Sequence, residues 1–266
     1  MAASDELLVD THAHIYRRDL PLAAGGLHIP KDDFELPAYL DALDRHGVRN
    51  GVIAAPSFLG TYNDYTINAI RGCQRIRATA ILGPQIDPYI LREMNKDGIV
   101  GVRLSFRGRA ELPDITSPDY RMFLRRMADL DWHVHLHIEG QRIPQVLPGL
   151  AASPAKIVVD HFGRPDPAKG EACEGFQCLL RALDSERIWV RLSGGYRIGC
   201  DPLPLATLLL KAGGASHLVW GSDWPFTDFS DKVTYQSTID SFREWVPGAA
   251  DRAVMMRNAE RLYHFV

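Results

Sequence analysis

One regular alternation constrains this chain more than any single motif does. Short apolar segments suited to buried strands fall at Leu7–Val9, Gly51–Ala55, Ala78–Leu82, Ile99–Leu104, His133–Leu136, Ile157–Val159, Ile188–Leu192 and Leu218–Trp220. Between them lie segments whose apolar residues recur at three and four, such as Leu36–His46, Tyr120–Asp129 and Leu203–Ala212, and Ala250–Tyr263 closes the series. Strand and amphipathic helix in strict alternation is the pattern of a parallel sheet covered by helices. Eight units of roughly 33 residues each predict a (β/α)8 TIM barrel, with residues 1–266 forming a single domain. An open doubly wound sheet uses the same units, but no Gly-rich phosphate-binding fingerprint follows any of the strands.

Composition excludes several partners. The formal charge is -3 and 46% of residues are hydrophobic, a balance with no footprint for nucleic acid or an anionic membrane surface. No apolar run approaches membrane-spanning length. The first residues show no basic segment followed by an apolar one, so no signal peptide is indicated. Cys73, Cys173, Cys178 and Cys200 are scattered without a C-x-x-C pair, as expected of reduced thiols in a cytoplasmic protein. A monomer or homodimer is expected, the dimer from the aromatic residues near 224–229.

In a barrel of this kind the active site lies at the carboxyl ends of the strands, so the residues found there matter most. Strand one leads into Asp10, His12 and His14, which alternation would place on one face. Strand four delivers Arg103, with Arg107 and Arg109 beyond it. Strand five, Trp-His-Val-His-Leu-His, turns His133, His135 and His137 inward, with His137 nearest the mouth. Strand six ends in His161 and Arg164, strand seven in Tyr196 and Arg197, strand eight in Asp223. Apolar bodies with ionisable tips, repeated around the barrel, define a candidate site. Arg103 has the firmest claim among the arginines, because a cation on an inward strand needs an anion. Arg107 reads as a solvated loop charge, and Glu139 as a secondary candidate for the mouth. Asp223 has an alternative role as cap of the following helix.

The loops are less informative. Residues 17 to 37 form a long connection rich in Pro and Gly, the kind that is often functional, and His28 within it reads as a surface residue. Asn63 reads as a helix cap, while Ser57, Thr61 and Asn63 suit either ligand binding or turn chemistry.

Asp-x-His-x-His on strand one, Gly-Val-Arg on strand four, Asp-His-x-Gly-Arg-Pro on strand six and Trp-Gly-Ser-Asp-Trp-Pro on strand eight together resemble the amidohydrolase superfamily. Within it they are most similar to the lactone-hydrolysing branch, that of the 2-pyrone-4,6-dicarboxylate lactonases. The resemblance runs from about residue 8 to residue 264. It implies that Asp223 acts as general base on water and that His12, His14 and His161 bind or polarise the lactone carbonyl. It further implies that Arg103, Arg109, Arg164 and Arg197, with Tyr196 and His137, hold a small anionic carboxylated substrate. Asp10 is expected to support the histidines by hydrogen bonding rather than to react.

The branch works without metal and carries tyrosine on strand five, where this chain has His137. Metal-dependent relatives use a strand-five histidine as a zinc ligand, so His12, His14, His137 and Asp223 form an alternative divalent site with an open position for water. Arg103 stands where a carboxylated lysine usually bridges two metals, which argues against a binuclear centre. The expected activity is hydrolysis of an anionic lactone without a cofactor. The alternatives are a zinc-dependent decarboxylase or hydratase, a lactone isomerase, and a non-enzymatic anion-binding barrel.

Overall fold

The computed structural model describes residues 6–24 and 28–266. Eight parallel strands run β1 (Val9–Ala13), β2 (Asn50–Ile53), β3 (Ile76–Ala80), β4 (Ile99–Ser105), β5 (His133–His137), β6 (Lys156–Val159), β7 (Ile188–Leu192) and β8 (Leu218–Trp220). They pair in sequence order, β1 with β2 through to β7 with β8. The ring is closed just above β8, where the Asp223 amide donates to the His12 carbonyl at 2.8 Å and the His14 amide to the Trp224 carbonyl at 2.7 Å. The barrel expected from the alternation is the barrel observed.

Helices α1 (Leu36–Arg45), α2 (Asp64–Ile70), α3 (Pro88–Lys96), α4 (Pro118–Asp129), α5 (Ile143–Ala151), α6 (Glu174–Ala182), α7 (Pro202–Gly213), α8 (Tyr235–Trp245) and α9 (Ala249–Leu262) cover the strands. Their starts are chemically specified. Asp87, Ser117, Asp201 and Thr234 each accept a backbone N–H of the following first turn, and proline opens α3, α4 and α7, where its missing N–H costs nothing. Because Thr234 caps the helix after β8, Asp223 is released from the capping role. None of the helices among the described residues is long and apolar enough to cross a membrane.

The barrel is plugged at its amino-terminal end by Val9, Val52, Val100, Val158 and Val219, packed with Leu262 and Tyr263 from the end of α9. This apolar floor leaves the opposite end for polar chemistry, as in barrels generally.

Three local expectations are corrected. Strand β3 begins two residues earlier than its apolar run, because Arg77 turns its guanidinium onto the carbonyls of Gln74, Ile76 and His264 and so tolerates a strand position. Asn63 precedes α2 but does not cap it with its side chain; the amide instead pairs with the backbone of Ile81 and the Thr61 carbonyl. The aromatic residues after β8 are not a surface patch: Trp224 and Phe226 are buried and Phe229 is half-buried, which removes the sequence argument for a dimer.

Candidate active site

The site is built from the bottom upward. Its floor is an ionic cluster centred on Asp160, at the end of β6. Arg103 of β4 reaches Asp160 Oδ2 at 3.3 Å and the Ala55 carbonyl at 2.8 Å. His135 of β5 and Arg191 of β7 both contact Asp160 Oδ1. Burial works to raise the Asp160 carboxyl, but His135, His12 and Arg191 outweigh it and hold it well below the usual carboxylate range. Arg191 is wholly buried, and its remaining N–H groups meet Thr11 Oγ1 at 3.0 Å, His12 Nδ1 at 2.8 Å and the Tyr263 hydroxyl at 2.6 Å. Ions this deep are tolerable only when each finds a partner, and these do.

Directly above lie His12, His14, His161 and Asp223. The pairing of β1 with β2 shifts register between Asp10 and Ala13, and this breaks the alternation read from the sequence. Thr11 and His12 both reach the Arg191 side, whereas Asp10 turns away. Its carboxylate takes the Ser222 amide at 2.8 Å, the Ser222 hydroxyl at 2.6 Å and the Tyr235 hydroxyl at 2.9 Å. It touches His12 only through the backbone N–H, at 3.2 Å. Asp10 therefore staples the β1 tip to the turn after β8 and does not bond an imidazole. Gly221 allows that approach, since a Cβ there would lie 2.6 Å from His12 Cβ.

His12 Nε2 and His14 Nε2 are 3.1 Å apart, and Asp223 Oδ1 lies 3.6 Å from the first and 3.8 Å from the second. The His14 Nδ1–H donates to the Ala54 carbonyl at 2.7 Å, which leaves a lone pair on His14 Nε2. His161 Nδ1 pairs with Ser193 Oγ at 2.8 Å, and its ring stands 5.0 Å from that of His12. Burial pushes the imidazoles of His14 and His161 down to about 3 and about 4 and holds that of His12 well below its ordinary value, so all three are neutral near pH 7. Asp223 Oδ2 accepts from the Tyr196 hydroxyl at 2.7 Å, and Arg197 Nε sits 2.6 Å away as an ion-pair contact off the hydrogen-bond axis. Burial would raise the Asp223 carboxyl, but Arg197, His161 and His14 prevail and lower it. Oδ1 is left facing the cavity.

That cavity, of about 610 Å³ including its open mouth, is lined by His14, Arg103, Arg107, His137, His161, Arg164, Arg197 and Asp223, together with His28, Phe58 and Asp228. The segment after β6 reaches it through left-handed backbone: His161, Phe162, Gly163 and Arg164 have φ of 51°, 57°, 75° and 45°. Such a run is costly for side-chain-bearing residues and occurs where positioning matters. Arg164 faces Arg107 and Arg197, and burial with these like charges brings its guanidinium down to about 10.

Most of the residues expected at the site converge there. Arg109 does not: it is exposed, donates to the Ser105 carbonyl at 3.1 Å and lies over the Phe106 ring. Arg107, read as a solvated loop charge, is exposed, and it is the one that lines the cavity. Glu139 is likewise withdrawn, its Oε1 taking the Gly108 amide at 2.7 Å. His28, read as surface, lines the cavity 3.3 Å from Asp228. Arg191, Asp160 and Ser193 were not singled out. For Arg191 the signal existed, since a cation inside an apolar strand demands an anion by the argument applied to Arg103.

The expected metal set comes together only in part. His12, His14 and Asp223 form one cluster of ligand atoms within 4.8 Å of one another, and His12, Asp160 and His161 form a second; His137 belongs to neither. The first spacing suits three ligands of a divalent cation. On its other edge His12 Nδ1 faces the donor-only guanidinium of Arg191 at 2.8 Å.

Comparison with known proteins agrees with this geometry. The amidohydrolase family profile matches residues 9–265. The 4-sulfomuconolactone hydrolase of Hydrogenophaga intermedia is 28% identical over 84% of this chain and 76% of its own length. The 2-pyrone-4,6-dicarboxylate hydrolase of Comamonas testosteroni is 26% identical over 96% and 89%. A solved structure from Acinetobacter baumannii, named for 2-pyrone-4,6-dicarboxylic acid hydrolysis and holding citric acid, superposes with a TM-score of 0.89 at 32% identity, covering 97% of this chain and 99% of that one.

Proposed function

The chain belongs to the amidohydrolase family, and we propose that it is a hydrolase that opens a small lactone carrying two carboxylates, of the 2-pyrone-4,6-dicarboxylate kind. The observation that carries this reading is the charge of the cavity. Four guanidinium groups line it against two carboxylates, Asp223 and Asp228, so two positive charges await an anion. Including the buried floor adds Arg191 and Asp160 and leaves that excess unchanged. Arginine forks bind carboxylates with two parallel charge-assisted bonds, which fixes the ring as well as holding it. The Acinetobacter relative holds citric acid, itself a polycarboxylate, and the curated relatives are named for anionic lactones.

In this reading Arg107, Arg164 and Arg197 grip the substrate carboxylates, while Arg103 divides its charge between Asp160 and the cavity. The attacking water is held by Asp223 Oδ1, the oxygen left free by Tyr196, which accepts one of its hydrogens and turns an oxygen lone pair toward the carbonyl. Asp223 removes the proton as the C–O bond forms, and Tyr196 and Arg197 hold its other oxygen. The neutral rings of His12 and His161 face the carbonyl oxygen, where negative charge develops and a fixed donor lowers the barrier most. Collapse of the tetrahedral intermediate breaks the ring C–O ester bond: the carbonyl carbon becomes a third carboxyl group, and the ring oxygen leaves as an alcohol or enol that takes back the proton held by Asp223.

The test is turnover of a panel of pyrone dicarboxylate, muconolactone and sugar-acid lactones, followed by acid release with product analysis by NMR. Ring-opened acid from a dicarboxylated member is expected. A rearranged lactone would instead indicate isomerisation, the activity for which another relative, the D-galactarolactone isomerase of Agrobacterium fabrum, is named. No turnover of any member would remove the proposal.

A further inference from the structure

We infer that Arg191 is a positioning residue that selects the tautomer of His12, fixing its Nε2 as the N–H donor of the site and denying that nitrogen to a metal ion. Arg191 Nη1 faces His12 Nδ1 at 2.8 Å. A guanidinium has no acceptor atom, so this contact is a hydrogen bond only if Nδ1 carries a lone pair. A neutral imidazole then bears its proton on Nε2. The next link agrees: His12 Nε2–H points at His14 Nε2, 3.1 Å away, whose lone pair is left free by the His14 Nδ1–H bond to the Ala54 carbonyl. One orientation thus runs without conflict from Arg191 through His12 and His14 to Ala54. The reverse orientation would set N–H against N–H at Arg191.

Arg191 itself has no freedom to turn. Its Nε donates to Thr11 Oγ1, which in turn donates to the Trp220 carbonyl at 2.7 Å. Its Nη2 donates to the Tyr263 hydroxyl, and its Nη1 also contacts Asp160 and His135. A competing partner for His12 is present: Asp160 Oδ1 lies 3.5 Å from His12 Nδ1. Without Arg191, that carboxylate would accept the Nδ1 proton and leave Nε2 bare, the carboxylate–histidine arrangement that orients imidazole ligands in zinc proteins. With Asp223 and His14 already in place, one side chain on β7 separates an N–H donor site from a metal tripod.

The catalytic consequence rests on the lactonase reading; the tautomer does not, and its measurement needs no substrate. In the uniformly 15N-labelled full chain, long-range 1H–15N correlation spectra near neutral pH should give His12 an acceptor-type Nδ1 and a protonated Nε2, with the ring identified by its loss in His12→Asn. A protonated Nδ1 in the wild type overturns the inference outright. Arg191→Met leaves Asp160 with Arg103 and His135; it should move the His12 proton to Nδ1 and tighten binding of zinc chloride at least tenfold by calorimetry. It should also lower kcat by about 10²-fold, as for loss of one oxyanion donor, with KM little changed. Arg191→Lys, which still only donates, should retain the wild-type tautomer and zinc affinity. An unmoved proton in a folded Arg191→Met protein, or zinc affinity equal to wild type, would refute the role. Should that variant fail to fold, the wild-type and Arg191→Lys spectra still decide. Failure of the lactonase reading would appear separately, as absence of turnover with the predicted tautomer in place.

Discussion

Replacing Asp223 with asparagine removes one proton acceptor and almost nothing else, so its consequences can be worked out atom by atom. Oδ2 receives the Tyr196 hydroxyl at 2.7 Å and faces Arg197 Nε at 2.6 Å. The hydroxyl donates there and the guanidinium brings positive charge to the same side, so the amide oxygen of asparagine takes that side and its NH2 takes the place of Oδ1. The group facing the water then has no lone pair to offer. Loss of a general base costs about 10² to 10⁴ in rate, and with Arg197 also deprived of its counter-charge we expect a fall in kcat of about 10³, or about 4 kcal/mol of barrier. KM should not rise, because removing a carboxylate from the mouth lessens repulsion of an anionic substrate. The assay is steady-state acid release from the dicarboxylated lactone, with circular dichroism to establish that the variant is folded. A kcat within about threefold of wild type, or a loss confined to KM, would refute the assignment of Asp223 as base.

Arg164→Met should raise KM roughly 30-fold, about 2 kcal/mol for a charge-assisted contact, whereas Arg109→Met should leave kinetics within about twofold because that side chain lies outside the cavity; equal effects in parallel assays would contradict the lining described. Asp10→Ala strips several buried hydrogen bonds and should destabilise the fold by about 3 kcal/mol or more, read as a drop in urea midpoint; an unchanged midpoint would show that the β1 staple is dispensable. Acid should weaken the fold well before carboxylates titrate. His14 and His161 ionise near 6.5 when unfolded but at about 3 and about 4 when folded, so the unfolded chain binds more protons below pH 6.5. Stability present above that value is lost as pH falls toward 4 and then 3, at up to about 1.4 kcal/mol per pH unit for each ring. Urea midpoints that stay level between pH 7 and pH 5 would rule this out.

The eight-unit architecture and most tips of the strands were legible because both depend on local pattern: apolar runs that must be buried, and ionisable residues placed where the runs end. What sequence did not convey was direction. Alternation put Asp10 beside His12, but the register shift within β1 sends the two carboxylate and imidazole groups to different neighbours. Arg107 and Arg109 differ by two positions in an irregular segment, where nothing in the sequence fixes which one borders the cavity. Phe226 and Trp224 read as exposed because their loop lacks periodicity, yet tertiary packing buries both. Arg191 is the instructive omission, since attention to the ends of strands hid a cation lodged in the body of one.

The hydroxyl of Tyr263, reaching from beyond α9 to Arg191 Nη2 at 2.6 Å, joins the segment after that helix to the floor beneath His12. In chain order all eight strands are made before this tyrosine is. Until it arrives, Arg191 Nη2 lacks its hydroxyl partner and the apolar plug around Val9 and Val219 lacks its lid. Nascent chains should therefore acquire barrel-like secondary structure earlier than competence, and a form shortened ahead of residue 263 should be made yet remain inert.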